Sequence, residues 1–332
     1  MLTLNSIKFL PMKKFLGFLL LLTLVSCAGS RYDVPGKPEL NITIQRFDKT
    51  FYETGLWPDS AFLNLYANEI MVVGEPGSEN FRQFDSVFRN DADIKKLYTD
   101  CQKTFSDVSD IEEELTWGFH RMQYFFPNIP IPKVYMHIAG YGESIVSAPG
   151  ILSADIDKYL GKDYDAYKSF FSPYQIVQMY PEKLTADYLT GWVRSELTEY
   201  KLMDNQRLLD YVIYEGKILF LMQILLPDES MENLSGFTTE QLDWLVGNEK
   251  NMWGTITQLQ HLYSKDVSII AKYIREAPYT AYFSPESPGR AAVWTGYKIV
   301  SAYMEKNPKA TVQSLMLRTK AQDALKGANY RP

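Results

Sequence analysis

Three glutamates raise the first chemical question. Glu196 lies inside "SELTE" (195–199), Glu199 closes that pentapeptide, and Glu215 follows in "YEGK" (214–217). A zinc peptidase that carries H-E-x-x-H on one helix and a glutamate ligand on the next has its acids in this register. Here Ser195 and Glu199 stand where the two histidines belong. A catalytic zinc site takes three protein ligands and a water, with neutral imidazole a favoured donor. The three histidines of the chain, His120, His137 and His261, form no close pair. His137 falls in a strand-like run, His120 in a helical one, and His261 reads as a surface or capping residue. Glu196, Glu199 and Glu215 with the Ser195 hydroxyl make a hard oxygen set, better suited to Ca²⁺ or Mg²⁺ than to zinc. A solvated helix end explains Glu196 and Glu199 without any ion, so neither a metal nor a cofactor is expected.

Glu215 is a different case, because Tyr211, Val212, Ile218 and Leu219 surround it at helical spacing. A buried charge without a partner is costly, so Arg194, Arg290 or Lys217 is expected to pair with it. Arg290 ends "ESPGR" (286–290), where Gly289 permits unusual backbone at a helix start. Its guanidinium is a fixed fork that can hold a carboxylate ligand, or simply Glu286 or Glu249. The candidate site residues are therefore Glu196, Glu199, Glu215 and Arg290. No G-x-S-x-G elbow, phosphate loop or dinucleotide fingerprint occurs, and the glycine-rich "GYGES" (140–144) reads as a turn.

The elements that must position these residues are mostly helical. "NITIQRFD" (41–48), "KVYMHI" and "ILSADIDKYLG" read as strands, and the pattern from Thr50 to Phe126 is helical with turns. Pro181 suits a helix start before "EKLTADYLTGWVRSELTEY". The stretch around 208–226 is apolar on nearly every face, which marks a buried helix. Thr238 and Gln241 are spaced as a capping box that opens one long helix, and Ser287 with Pro288 reads as the start of another. The expectation is an α+β fold, one mostly helical domain over 41–332 with a small sheet from its N-terminal half.

At the N-terminus, Lys13 and Lys14 precede an apolar run from Phe15 to Val25, then Ser26 and Cys27. That order describes a secretory signal, and "LVSC" fits a bacterial lipobox in which Cys27 is lipidated. The apolar run is too short to span a bilayer, which takes about 20 residues. Residues 1–26 are thus expected to be a signal peptide, with Met12 an alternative start, and residues 27–40 a Gly/Pro/Ser-rich tether. With Cys27 lipidated, Cys101 is the one remaining cysteine, so no disulfide framework is expected, and its neighbours Tyr98 and Phe105 suggest packing. Net charge −6 and the lack of any basic block argue against nucleic acid as a partner.

The lipobox, "ITIQRFDKTFY", "DKYLGKDYDAY", "YEGK", "LYSKD", "APYTAYFSPESPGRAAVWTGYKIVSAYM" and the terminal "NYRP" together resemble the gliding-motility lipoprotein GldB family of Bacteroidetes. The likeness runs from the lipobox to the C-terminus. A weaker one, through "LSADIDKYLG", "EGK" and "GYKIV", links the chain to predicted zinc-dependent peptidase domains, and implies a degenerate zincin-like scaffold. The resemblance implies a membrane-anchored lipoprotein of the cell envelope, with protein partners in the gliding and secretion machinery. The residues after Cys27, "AGSRYD", lack the acidic cluster expected of surface-exported lipoproteins in that phylum, which favours a periplasm-facing anchor. Two function classes follow: a non-catalytic assembly or interaction protein, and a peptidase-like hydrolase with an atypical carboxylate-rich site.

Overall fold

A computed structural model of the chain describes residues 30–197 and 206–332. Cys27 and Glu199 lie outside the described residues, as do the signal segment and part of the tether. Residues Lys37–Pro332 form one compact α+β unit. Its four-stranded sheet has the order β1 (Ile44–Arg46), β2 (Lys133–His137), β4 (Ile151–Asp155), β3 (Ile145–Ala148). The first three run parallel and β3 is antiparallel to β4. In the register, His137 lies opposite Asp155.

Two expected strands are cut short for visible reasons. "NITIQRFD" yields only β1, because helix α1 (Phe47–Thr54) begins at once. Phe47 stacks on Phe51 one helical turn later, with ring centroids 5.0 Å apart, and both join a buried aromatic cluster with Phe62, Tyr66 and Tyr135. "ILSADIDKYLG" leaves the sheet at Asp155 and turns through a 3₁₀ segment, Ile156–Lys158. The half-buried strand β3 has no counterpart in the sequence reading.

Helices pack around this sheet. Helix α2 (Ser109–Phe125) supplies Glu112 to the Ile44 amide and Thr116 to the Ile42 amide. Helix α3 (Leu184–Glu196) follows a 3₁₀ turn that starts at Pro181 and lies across β3 and β4. A Cβ at Gly191 would meet the Ile145 side chain at 2.5 Å, so the small residue sets how closely α3 approaches the sheet. Helix α4 (Leu208–Leu225) is buried over most of its surface, as its apolar composition requires.

The expected long helix after Thr238 is in fact two, Thr239–Gly247 and Glu249–Gln258, divided at Asn248, although the Thr238–Gln241 capping box is present. Helix α5 (Ala292–Lys306) starts later than Ser287 suggested. The Ser287 hydroxyl is taken by the Thr280 amide and the Ser284 carbonyl. The Thr280 hydroxyl donates to the Pro288 carbonyl and accepts from the Ala291 amide, so residues 287–291 are tied into a buried turn.

Helices α4 and α5 touch backbone to backbone. A Cβ on Gly216 would lie 2.2 Å from the Gly296 carbonyl carbon, and one on Gly296 would lie 1.9 Å from the Val212 oxygen. Neither position has room for a side chain.

Candidate functional site

"YEGK" sends three consecutive residues in three directions. Gly216 makes the contact with α5. Lys217 is fully buried and donates to the Thr319 carbonyl at 2.6 Å, and burial lowers its pKa to about 7. Glu215 instead faces a cleft between α3, α4 and the start of α5.

In that cleft Arg194 grips Glu215 with both arms, Nη1 to Oε1 at 2.9 Å and Nη2 to Oε2 at 2.6 Å. Such a fork is the strongest carboxylate–cation geometry available to side chains. Tyr214 lies beneath the guanidinium, its ring centre 5.6 Å from Cζ. Of the three partners considered for Glu215, Arg194 is the one found.

Arg290 reaches the same cleft, but neither Glu286 nor Glu249 holds it. Its Nε pairs with Glu276 Oε1 at 2.5 Å, and its Nη2 donates to the Ser235 carbonyl. Its guanidinium lies over the Phe237 ring at 4.5 Å. The backbone places it there from a left-handed conformation, φ 48°, while Gly289 packs so closely that a Cβ would meet the Ala277 oxygen at 2.1 Å. Glu249 is engaged elsewhere, by the Tyr330 hydroxyl at 2.7 Å and Lys298 at 3.6 Å.

Glu196 and the "SELTE" register fare differently. Helix α3 ends at Glu196, and Leu197 already has non-helical backbone, φ −81° and ψ 62°. The H-E-x-x-H comparison needs a helix that continues through Glu199, which lies outside the described residues. Glu196 accepts from the Ser195 hydroxyl at 3.1 Å and lines a different hollow, beside Phe126, Pro130 and Leu317.

The sequence reading passed over most of the cleft. Lys183 pairs with Asp187 one turn along α3, and Asp187 also accepts from the Tyr159 hydroxyl at 2.9 Å. Lys183, Asp187, Thr190 and Arg194 form a polar stripe on a helix otherwise buried among apolar residues. That stripe, at spacings of four, three and four, was the available signal. Gln178 and Glu276 come from separate stretches, and a Cβ on Gly236 would meet Gln178, Arg290 and Lys183 within 3.0 Å.

A second lobe continues the cleft past Gln178, Lys183, Asp187 and Glu276, and adds Ser144, Lys158, Phe171 and Gln175. The two lobes enclose about 180 and 200 Å³. Beside the second lobe, Asp155 and Asp157 are wholly buried and draw in the backbone of residues 139–142. Asp155 accepts from the amides of Ala139 (3.0 Å) and Gly142 (2.7 Å), Asp157 from those of Gly140 (2.8 Å) and Tyr141 (3.1 Å). Burial first, and then the adjacent Asp157 carboxylate, push Asp155 well above the ordinary carboxylate range. Burial also raises Asp157, against the pull of the hydrogen bond from Asp155 and of the backbone amides. Burial thus holds both carboxyls of the pair above the ordinary range.

Among the described residues, no group of three or more His, Cys, Asp or Glu is placed to hold a metal ion. In chemical terms, the cleft offers paired charges. Glu215, Asp187 and Glu276 each have a cation in contact.

A sequence profile described as gliding motility protein GldB matches residues 31–332. The chain belongs to the GldB family. No curated protein and no solved structure matches the chain. GldB membership places the chain among gliding-motility proteins, and its family is one of envelope lipoproteins. The cleft lies wholly within the span of the GldB match, as do Glu215 and Arg290.

Proposed function

We propose that this GldB-family chain is a non-catalytic interaction protein, anchored in the cell envelope through a lipid on Cys27 and facing the periplasm. Its globular domain would engage a partner of the gliding machinery through the cleft. The supporting observation is the bidentate Arg194–Glu215 pair. Both Glu215 oxygens are engaged by one guanidinium, an arrangement that orients the carboxylate as a salt-bridge partner. The Lys183–Asp187 and Arg290–Glu276 pairs extend the same logic along the cleft. Ion pairs of this kind suit binding, because a partner's charges can replace one member of each pair. The residues after Cys27 carry no acidic cluster, which supports the periplasmic orientation.

The test is complementation of a deletion strain of the gliding host, with spreading motility, protein abundance and membrane fractionation read together. Cys27→Ser should leave the membrane fraction and lose motility, because stable anchoring takes more than one lipid chain. Asp187→Asn, Glu215→Gln and Glu276→Gln keep shape and hydrogen bonding, so each should retain motility at normal abundance. A single amide variant that is abundant, membrane-bound, still partner-binding in pull-down and immotile would identify a catalytic carboxylate and overturn the reading.

A further inference from the structure

The two lobes of the cleft differ in how their charges are matched. In the first, Arg194 and Arg290 each have a carboxylate, and Lys183 has Asp187 on the boundary. In the second, Lys158 has no carboxylate partner among the described residues. Its ammonium donates to the Gly142 carbonyl at 3.0 Å and lies 5.5 Å from the Phe171 ring centre. An ammonium has three donors, so one carbonyl does not exhaust it. The Ser144 hydroxyl and the amides of Gln175 and Gln178 line the same lobe.

An aromatic rim stands beside that lysine. Phe170 is 67% exposed, and the Tyr141 ring lies 5.1 Å from Phe170 and 5.6 Å from Phe171. Tyr141 occupies this place with φ 71°, a backbone region costly for a residue with a side chain. The grip of Asp155 and Asp157 on residues 139–142 holds it there. Two buried acids and a strained backbone thus hold one aromatic ring against Phe171, which lines the lobe beside Lys158.

We propose that the second lobe binds a peptide carboxylate flanked by an apolar side chain, with Lys158 meeting the charge and Tyr141, Phe170 and Phe171 packing against its neighbour. The inference rests on the interaction reading above and names the chemistry of the partner. The other charges of the lobe are already matched, Lys183 with Asp187 and Glu276 with Arg290, so the one ammonium left over, Lys158, matches a monoanion. A phosphate dianion is ordinarily met by guanidinium forks, and here both forks already hold carboxylates. A lobe of about 180 Å³ admits one or two residues of a polypeptide, with the rest of the partner outside.

The experiment titrates the full chain in detergent micelles with three probes by calorimetry. They are N-acetyl-alanyl-phenylalanine, its C-terminal amide, and N-acetyl-aspartyl-phenylalanine amide. The first and third separate a terminal carboxylate from an acidic side chain. At least one of these two should bind about ten-fold or more tighter than the plain amide, as expected when a charge-assisted contact is lost. Lys158→Gln should abolish that preference, and Lys158→Arg should preserve it. Lys309→Gln, at an exposed lysine outside the cleft, should change affinity by less than about two-fold, as expected for a non-contacting site. Equal binding of acid and amide, unchanged preference in a folded Lys158→Gln variant, or no binding of any probe would overturn the assignment. If the amide variants of the cleft still support motility when the probes fail, only the ligand assignment falls. If those variants lose motility while the probes bind, the non-catalytic reading falls instead.

Discussion

Asp155 and Asp157 hold backbone amides, whereas Asp187, Glu215 and Glu276 hold cations. The first pair is sealed from solvent at the end of β4, and its hydrogen bonds fix the shape of a loop. The second set lines a cleft, with Glu215 22% and Arg194 40% exposed in their side chains. Acids satisfied by neutral dipoles cannot be prised open by a charged visitor. Acids satisfied by mobile cations can exchange partners at modest cost, because water is present to take up the charge. The difference separates scaffold from candidate binding surface within one small region of the fold.

The largest effect expected from breaking this contrast is at Asp157. Asp157→Ala strands the Gly140 and Tyr141 amides and leaves Asp155 without its neighbour. The expected loss is about 3–5 kcal/mol of stability, read as a lowered denaturant midpoint with unchanged slope. A loss under about 1 kcal/mol would show that water replaces the carboxylate and that the pair is not a structural clamp.

His137 sharpens the same contrast through pH. It is sealed in the sheet opposite Asp155, with Nδ1 2.6 Å from the Ser153 hydroxyl, and burial lowers its pKa to about 3. A depressed histidine contributes stability that is present above its unfolded value, about 6.5, and is lost as pH falls toward the folded value. Asp155 works in the opposite sense. Its raised pKa contributes stability present below the unfolded value and lost as pH rises through the folded one. His137→Gln removes only the first contribution. Relative to wild type, the variant should gain about 1.4 kcal/mol per pH unit on acidification from pH 6 to pH 4. Parallel stability profiles for the two proteins would show that His137 is accessible to protons in the folded state.

Smaller effects are expected in the cleft. Glu215→Ala leaves Arg194 to solvent rather than to a sealed interior, so the cost should be about 1–3 kcal/mol, between surface and buried pairs. Glu215→Gln should cost less than Glu215→Ala. A double-mutant cycle with Arg194→Ala measures the pair itself. A coupling as large as the loss at Asp157 would erase the distinction between the two sets of acids.

Local rules made much of the fold readable. The apolar density of 208–226 gave the buried helix α4, the alternation of "KVYMHI" gave β2, and Thr238 with Gln241 gave a cap. Features that depend on distant partners were not readable. Arg194 was one of three cations expected as possible partners of Glu215. Glu276 cannot be found from the "ESPGR" stretch that carries its partner Arg290. The "SELTE" comparison turns on a helix through 199; helix α3 ends at Glu196, and Glu199 lies outside the described residues. The polar stripe of Lys183, Asp187, Thr190 and Arg194 lay in plain view, but a motif search keyed to histidines passes over it.

The contact between Gly216 and Gly296 has a consequence for how this chain can be altered. Two helices that meet through bare backbone can slide or roll on one another very little, so the pair acts as a vernier that fixes residue count as well as distance. Arg290 precedes Gly296 by less than two helical turns. Inserting one residue between Ala292 and Thr295 would turn everything upstream by about 100° about the helix axis. The guanidinium would then leave the cleft although no cleft residue had been replaced. A length change of one residue in this short segment should therefore be less tolerated than most substitutions in the cleft itself, and insertion scanning across residues 288–296 would register it as a sharp boundary.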